Sequence, residues 1–511
     1  MASIVNSLPH EIWHTIYQFI PQPEEARLYA VNSALFNIDM SARYNRISIP
    51  SNPAVLDAGV DATLHTLSNP LITRHVNHID LKPFIFCLTV PCPAPKLKLL
   101  PRSLLDGLAA WSFDLPNLVS CTFSSQTKGT LLARSYCDWI MVLKPPTQGV
   151  LLGTCQTLRV LNLEVPLEVY RDAVVPGDLF CPLLEELKIQ VYTLYLTTNH
   201  ENVLELTVAP LINRHSRTLT TLHLVDSRGP YRYLFYRYER LFRALTVFPR
   251  LSALSVHFLV YPIESRCLDA LGRFIHLHHS SLHTLNLNLY HTLLWNYDFH
   301  VMRHHRLYDS SSLFRHGLFT RALPECSALT QLELVLLARD AFETGSAPLL
   351  SWFPTLQCTA KLTTLSLPYN TLTQSNLISL LNSTDLSSLR SLRVETRSFN
   401  MDLFDALAVT LHRLQDLRVD SHGLLDVDED SGEEKEWTPL NVLSPDEPFL
   451  LELQARSYSH WCSLNRLRLV MIDQRKAYQH LKFEKVYWLK EGQVRHTFVH
   501  VRDFEATILP T

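Results

Sequence analysis

Glycine is scarce in this chain, with 13 residues in 511. Few positions therefore remain for the glycine-built loops whose backbone N–H groups cradle phosphate. No P-loop, G-x-G-x-x-G or G-x-S-x-G sequence occurs. An excess of one charge is also missing. Lys+Arg number 46 and Asp+Glu 49, a net charge of −3, which argues against non-specific binding to nucleic acid or to an acidic membrane. None of the ten cysteines stands in a C-x-x-C pair, so the close thiolate pairs of zinc sites are lacking. No apolar run approaches the roughly 18 residues of a membrane span, and the N-terminus carries no basic-then-apolar export signal. These absences predict an intracellular protein, cytoplasmic or nuclear, with reduced and mostly buried thiols. They predict no catalytic set, no metal and no cofactor.

Apolar material is plentiful. Hydrophobic residues make up 47% and charged residues 19%, enough for a large core. The first forty residues read as a compact helical module. Pro9 suits the first position of a helix, where its missing N–H costs nothing. Ile12, Ile16, Phe19 and Ile20 come after it at helical spacing and form one apolar stripe. Pro21 and Pro23 end this helix and open another, whose stripe is Leu28, Val31, Leu35 and Ile38. Helices this short cannot bury both faces alone, so the module calls for a partner surface.

Leu8-Pro9, Glu11-Ile12, Ile16, Phe19-Ile20-Pro21, Leu28, Val31-Asn32 and Leu35-Phe36 together resemble an F-box. The resemblance covers residues 5 to 48. It implies docking on the small adaptor subunit of a cullin–RING ubiquitin ligase. By the same resemblance, Leu8, Pro9, Ile12, Ile16, Pro21, Leu28, Val31 and Phe36 would make the adaptor contact. The other reading is that these residues only cap the next domain.

The rest of the chain repeats one pattern, L-x-x-L-x-L with conservative replacements. It occurs at 76–81, 118–123, 158–163, 184–189, 219–224, 251–256, 282–287, 329–334, 362–367, 389–394, 414–419 and 464–469. The last two apolar positions alternate with polar ones, as a half-buried strand requires. Helical segments precede several copies, around Leu241-Phe242, Leu271-Phe274 and Leu403-Phe404. A thirteenth match, 203–208, begins only 16 residues before Leu219 and reads as part of a helix. A strand and a helix repeated at this spacing resemble a leucine-rich-repeat solenoid.

The expected fold class is α/β. A three-helix F-box-like module (1–48) precedes an irregular leucine-rich-repeat solenoid with parallel strands on its concave face (49–470), and a C-terminal cap completes the chain (471–511). Residues 424–450 include the block from Asp426 to Glu436, read as an acidic excursion that does not pack. It lacks the Gly and the final Glu of a calcium loop. Ser431, with Glu433 and Glu434 after it, fits an acidophilic kinase site or simply a solvated loop.

Two further clusters have competing readings. His300 and His304, beside Asp298 and His305, lack the third ligand and supporting shell that a metal needs. The segment Tyr231–Arg240 alternates aromatics with arginines, either to stack bases or as a helix whose apolar stripe faces the core.

In each strand the residue between the last two apolar positions points outward. That row ends in Arg393, Arg418 and Arg468, with Arg466 on the same face. An arginine ladder of this kind is a client-binding site for an acidic or phosphorylated segment. Alternatively, Glu395, Asp416 and Asp420 pair with these arginines locally. The function expected is that of a non-enzymatic substrate-recognition subunit of an adaptor–cullin–F-box ubiquitin ligase, binding an unidentified client on the solenoid. The alternative is a repeat scaffold whose F-box-like segment does not bind the adaptor, and an enzyme is the third possibility.

Overall fold

The structure is a computed structural model. It describes residues 8–20, 33–49, 66–67, 69–81, 115–124, 156–167, 170, 181–192, 200–226, 238–259, 265–290, 314–337, 347–427, 434–437, 448–456, 458, 461, 463–473, 486–487 and 503–510. The chain divides into two compact units, Met1–Arg250 and Leu251–Thr511.

The first unit opens with two helices, His10–Gln18 and Ser33–Tyr44. Pro9 lies one position earlier than the sequence suggests: it caps the first helix, and its carbonyl accepts from the N–H groups of Ile12 and Trp13. The Tyr17 hydroxyl donates to the buried Asp39 carboxylate at 2.9 Å and ties the two helices together. Leu35, Ile38 and Met40 of the second helix are buried. Three contacts fix the module to the first strands of the array: Ser41–His75 (3.0 Å), Asn77 donating to Asn45 (2.7 Å), and the Arg46–Asp80 ion pair (2.6 Å).

Six parallel strands then pair in sequence order: β1 Arg46–Ile49, β2 His78–Leu81, β3 Ser120–Ser124, β4 Val160–Pro166, β5 Glu186–Tyr192 and β6 Thr221–Asp226. The thirteenth sequence match is helical, as its spacing predicts. It runs through His200–Val203, a π-helical turn Leu204–Val208 and Ala209–Arg214.

In the second unit, β7 Ala253–Leu259, β8 Thr284–Tyr290, β9 Gln331–Leu337, β10 Thr364–Leu372, β11 Ser391–Thr396 and β12 Asp416–Ser421 pair in parallel. The hairpin β13 Leu424–Val427 and β14 Glu434–Trp437 interrupts the series. After it, β15 Arg466–Asp473 joins β12 in parallel. All twelve copies of the sequence pattern thus fall on strands.

The repeat has a backbone cause. The first Leu of a copy closes a short turn: Leu389 donates to Leu386, Leu414 to Leu411, Leu184 to Cys181 and Leu464 to Trp461. The residue after it then shares its carbonyl between two N–H groups of the next repeat. Arg390 accepts from Gln415 and Asp416, and Gln415 accepts from Asn465 and Arg466. Because backbone groups set this register, the side chain inside the turn need only be apolar and of fitting size. Cys181 and Cys326 fill it in their repeats, and Cys358 packs just before Leu362; all three are buried and free of disulfides. Burial pushes the Cys326 thiol up to about 12 and the Cys358 thiol up to about 11, which makes them inert core residues rather than nucleophiles.

Two parts of the sequence reading gain detail. The acidic excursion is not wholly without structure, since its two ends pair as the antiparallel hairpin β13–β14. That hairpin is tied to the preceding repeat through Leu425 donating to Phe399 at 2.8 Å. Residues 428–433, including Ser431, lie outside the described residues. The stretch assigned to a cap adds another rung: β17 Asp503–Pro510 runs parallel to β15 along its whole length, and β16 Val486–Tyr487 pairs antiparallel to β17.

Candidate functional site

The first helix leaves its apolar stripe uncovered. Leu8 is 39% exposed, Ile12 46%, Ile16 38% and Phe19 82%. Ile12, Ile16 and Phe19 share one face because residues four and seven apart nearly align on a helix. The opposite side of this helix is occupied by the Tyr17–Asp39 bond. Pro9 is exposed beside the stripe and Phe36 is half-buried on the second helix. Of the residues read as adaptor contacts, Leu8, Pro9, Ile12 and Ile16 therefore lie together, whereas Pro21, Leu28 and Val31 are outside the described residues. Phe19 is the most exposed of the group. Its place in the i, i+4, i+7 series puts it on the same face as Ile12 and Ile16.

The residues between the last two apolar positions align in register in each unit, and of them Asp80, Ser255 and Ser366 are buried rather than outward. In the first, Ser48, Asp80, Thr122, Asn162, Lys188 and His223 are register partners on successive strands. In the second, the row is Ser255, Asn286, Glu333, Ser366, Arg393, Arg418, Arg468 and Glu505. Arg466 lies in a neighbouring row with Asp416 and Asp503.

The carboxylates on this face are placed selectively. Asp420, with only 5% of its side chain exposed, takes both Arg393 and Arg418. Arg418 Nε donates to its Oδ1 at 2.8 Å, while Arg393 Nε and Nη2 donate to Oδ2 at 3.3 and 3.2 Å. Glu395 meets His422 Nε2 at 3.1 Å. Arg466 is held by Asp503 at 2.6 Å and Asp416 at 3.4 Å. Arg468 has no hydrogen-bond or ion-pair partner among the described residues. Further along the row, burial raises the Glu333 carboxyl, which accepts from Asn286 at 2.9 Å. The four arginines thus separate into a pair clamped by Asp420, one held by Asp416 and Asp503, and one open member. Asp503 and Glu505 escape the sequence pattern because the β17 segment carries no leucine in the pattern's phase, with Val501, Phe504 and Ala506 there instead.

The aromatic–arginine segment is structural where described. Tyr238, Leu241, Phe242 and Leu245 are buried, and Arg240 pairs with Glu205. Residues 231–237 lie outside the described residues, as do Asp298, His300, His304 and His305. Among the described residues no group of three or more His, Cys, Asp or Glu side chains is placed to hold a metal. No helix among them is long and apolar enough to cross a membrane.

The chain is an α/β protein whose two units are each built on successive parallel strands, consistent with a repeat solenoid. No family model matches it, and comparison with curated proteins gives no match. Among solved structures it is similar to a chain in the crystal structure of the Rad7 and Elc1 complex in yeast. The identity is 13% and the TM-score 0.36, covering 84% of this chain and 92% of that one.

Proposed function

We propose that this chain is a non-catalytic substrate receptor of a cullin–RING ubiquitin ligase. Its N-terminal helices dock on the small adaptor, and its repeat array holds the client protein. Catalysis is then proximity, supplied to other subunits of an intracellular complex, and no residue of this chain makes or breaks a bond.

The observation that carries this reading is the uncovered stripe Leu8, Ile12, Ile16 and Phe19. Full burial of a large apolar side chain is worth about 1.5–3 kcal/mol, so a helix that together with its flanking residues leaves four such side chains partly exposed has a surface that favours a partner. The F-box resemblance falls on this same helix and supplies the identity of the partner. The repeat array supports the second half of the proposal, because a row of outward side chains at fixed spacing reads an extended surface. Arg393, Arg418 and Arg468 are the client-facing arginines. Arg466, already held by two aspartates, plays a lesser part.

The test is co-purification of the ligase adaptor with the wild-type full chain and with Ile12→Asp/Ile16→Asp. Both positions are exposed, so the variant should fold and melt like wild type. Adaptor retained by wild type and lost by the variant supports the proposal. A folded wild-type chain that retains no adaptor contradicts it.

A further inference from the structure

The helix that carries the exposed stripe is held from its far side by a buried carboxylate. Tyr17 stands five residues after Ile12 and two before Phe19. At about 100° per residue it lies about 140° and 160° from them around the helix. Its hydroxyl donates to Asp39 Oδ1 at 2.9 Å. The same oxygen accepts from Arg43 Nε at 3.0 Å, one turn further along the second helix. Asp39 is wholly buried, and its Oδ2 has no hydrogen-bond partner among the described residues.

Stability gives a poor account of this arrangement. Taking a carboxylate out of water is expensive, and a well-packed apolar side chain often serves a fold as well or better. What the carboxylate adds is direction. Apolar packing lets one helix roll about its own axis against another, whereas a hydrogen bond weakens steeply with misalignment. At a side-chain radius of about 5–6 Å, a roll of about 30° moves the hydroxyl by roughly 3 Å. That distance breaks the bond, and the same roll swings the stripe by as much. Arg43 holds the carboxylate from its own helix, so the acceptor is set before Tyr17 meets it.

We infer that Asp39 is a positioning residue for adaptor docking. Through Tyr17 it fixes the roll of the first helix, and so presents Leu8, Ile12, Ile16 and Phe19 in one orientation. The inference rests on the reading of that stripe as the adaptor surface and names the part of the fold that aims it. A helix aimed in advance loses less freedom when its partner arrives. Loosening the tie lowers the fraction of chains able to dock, and apparent affinity falls by that fraction.

The experiment measures adaptor association and dissociation rates for the full chain, with hydrogen exchange of residues 8–20 in the same chain without adaptor. Tyr17→Phe removes one oxygen and keeps the ring. It should speed exchange across residues 8–20, slow association about tenfold and leave dissociation within about twofold of wild type. Ile16→Ala deletes a contact instead, so it should speed dissociation and leave association within about twofold. Asp39→Leu should bind as weakly as Tyr17→Phe while its urea midpoint stays at or above the wild-type value, an outcome that a purely stabilising role would not give. Asp39→Asn, which keeps an oxygen for the Tyr17 hydroxyl, should restore most of the association rate. Wild-type association in both Tyr17→Phe and Asp39→Leu would overturn the inference, as would unchanged exchange of residues 8–20 in free Tyr17→Phe. A wild-type chain that binds no adaptor overturns the docking reading and this role with it, which separates that failure from one confined to the tie.

Discussion

The N-terminal helix and the arginine row both present side chains that the fold does not cover, and they do so in opposite ways. On the helix the uncovered groups are apolar, and their exposure works against the isolated chain. On the strands they are charged, and the fold has already spent a buried carboxylate to hold two of them. A partner for the first surface gains by removing water. A partner for the second must replace water with charge and meet guanidiniums whose positions are set. Substitutions on the helix should therefore change binding and leave stability alone. Substitutions at the centre of the row should change stability first.

The sharpest way to break this contrast is Ile12→Asp/Ile16→Asp. Two large contacts are lost and two carboxylates must be desolvated, so adaptor affinity should fall about a hundredfold or more. The urea midpoint should stay at the wild-type value. A lowered midpoint would mean that the stripe supports the fold after all.

Asp420→Asn should show the reverse. It leaves Arg393 and Arg418 without their anionic partner in a half-buried setting, at a cost of about 2 kcal/mol. The urea midpoint of the second unit should drop, while adaptor binding should remain at the wild-type level.

A third prediction separates the core of the first unit from its docking stripe. His215 is buried, and burial lowers its imidazole to about 4 from the usual 6.5. The folded state then binds the proton less readily than the unfolded state, so stability is full above pH 6.5 and is lost as pH falls toward 4. Moving from pH 7 to pH 5 should cost about 2 kcal/mol through this group. Burial lowers His278 in the second unit as well, and its sign is the same. Urea unfolding at the two pH values measures the loss, and His215→Gln should reduce the slope. The stripe residues carry no ionisable group, so Ile12→Ala/Ile16→Ala should leave this pH dependence of stability unchanged.

The smallest effect is expected at Arg466. It is exposed and paired with Asp416 and Asp503, and surface pairs of this kind contribute little. Arg466→Gln should leave the urea midpoint and adaptor binding unchanged, which makes it the control for the other arginines.

Most of the strand ladder is legible in the sequence because one backbone device repeats. The turn before each strand demands an apolar residue in fixed phase, and leucine meets that demand in most copies. Two further strands of the parallel ladders, β1 and β17, carry other apolar residues at the alternating positions. Tyr44-x-x-Ile47-x-Ile49 and Val501-x-x-Phe504-x-Ala506 carry no leucine, so a search centred on leucine passes over them. Charge density hides the hairpin β13–β14, because backbone pairing in a two-stranded ribbon places little demand on composition.

For the sites, sequence spacing locates the arginine row but not its internal allocation. Which carboxylate serves which guanidinium depends on strand register and on depth. Asp420 lies two residues beyond Arg418 on the same strand and reaches across to Arg393 as well. Asp503 reaches Arg466 from a strand that the pattern does not predict. On the helix, spacing is enough to define the stripe, and the structure adds that its four residues stay exposed.

The central claim is that the stripe on the first helix is the docking surface for the adaptor. Hydrogen exchange of the full chain with and without the ligase adaptor tests it most directly. The account predicts slowed exchange across residues 8–20 on adding adaptor, and unchanged exchange in strands β11, β12 and β15. Exchange across residues 8–20 that does not change with saturating adaptor would contradict it.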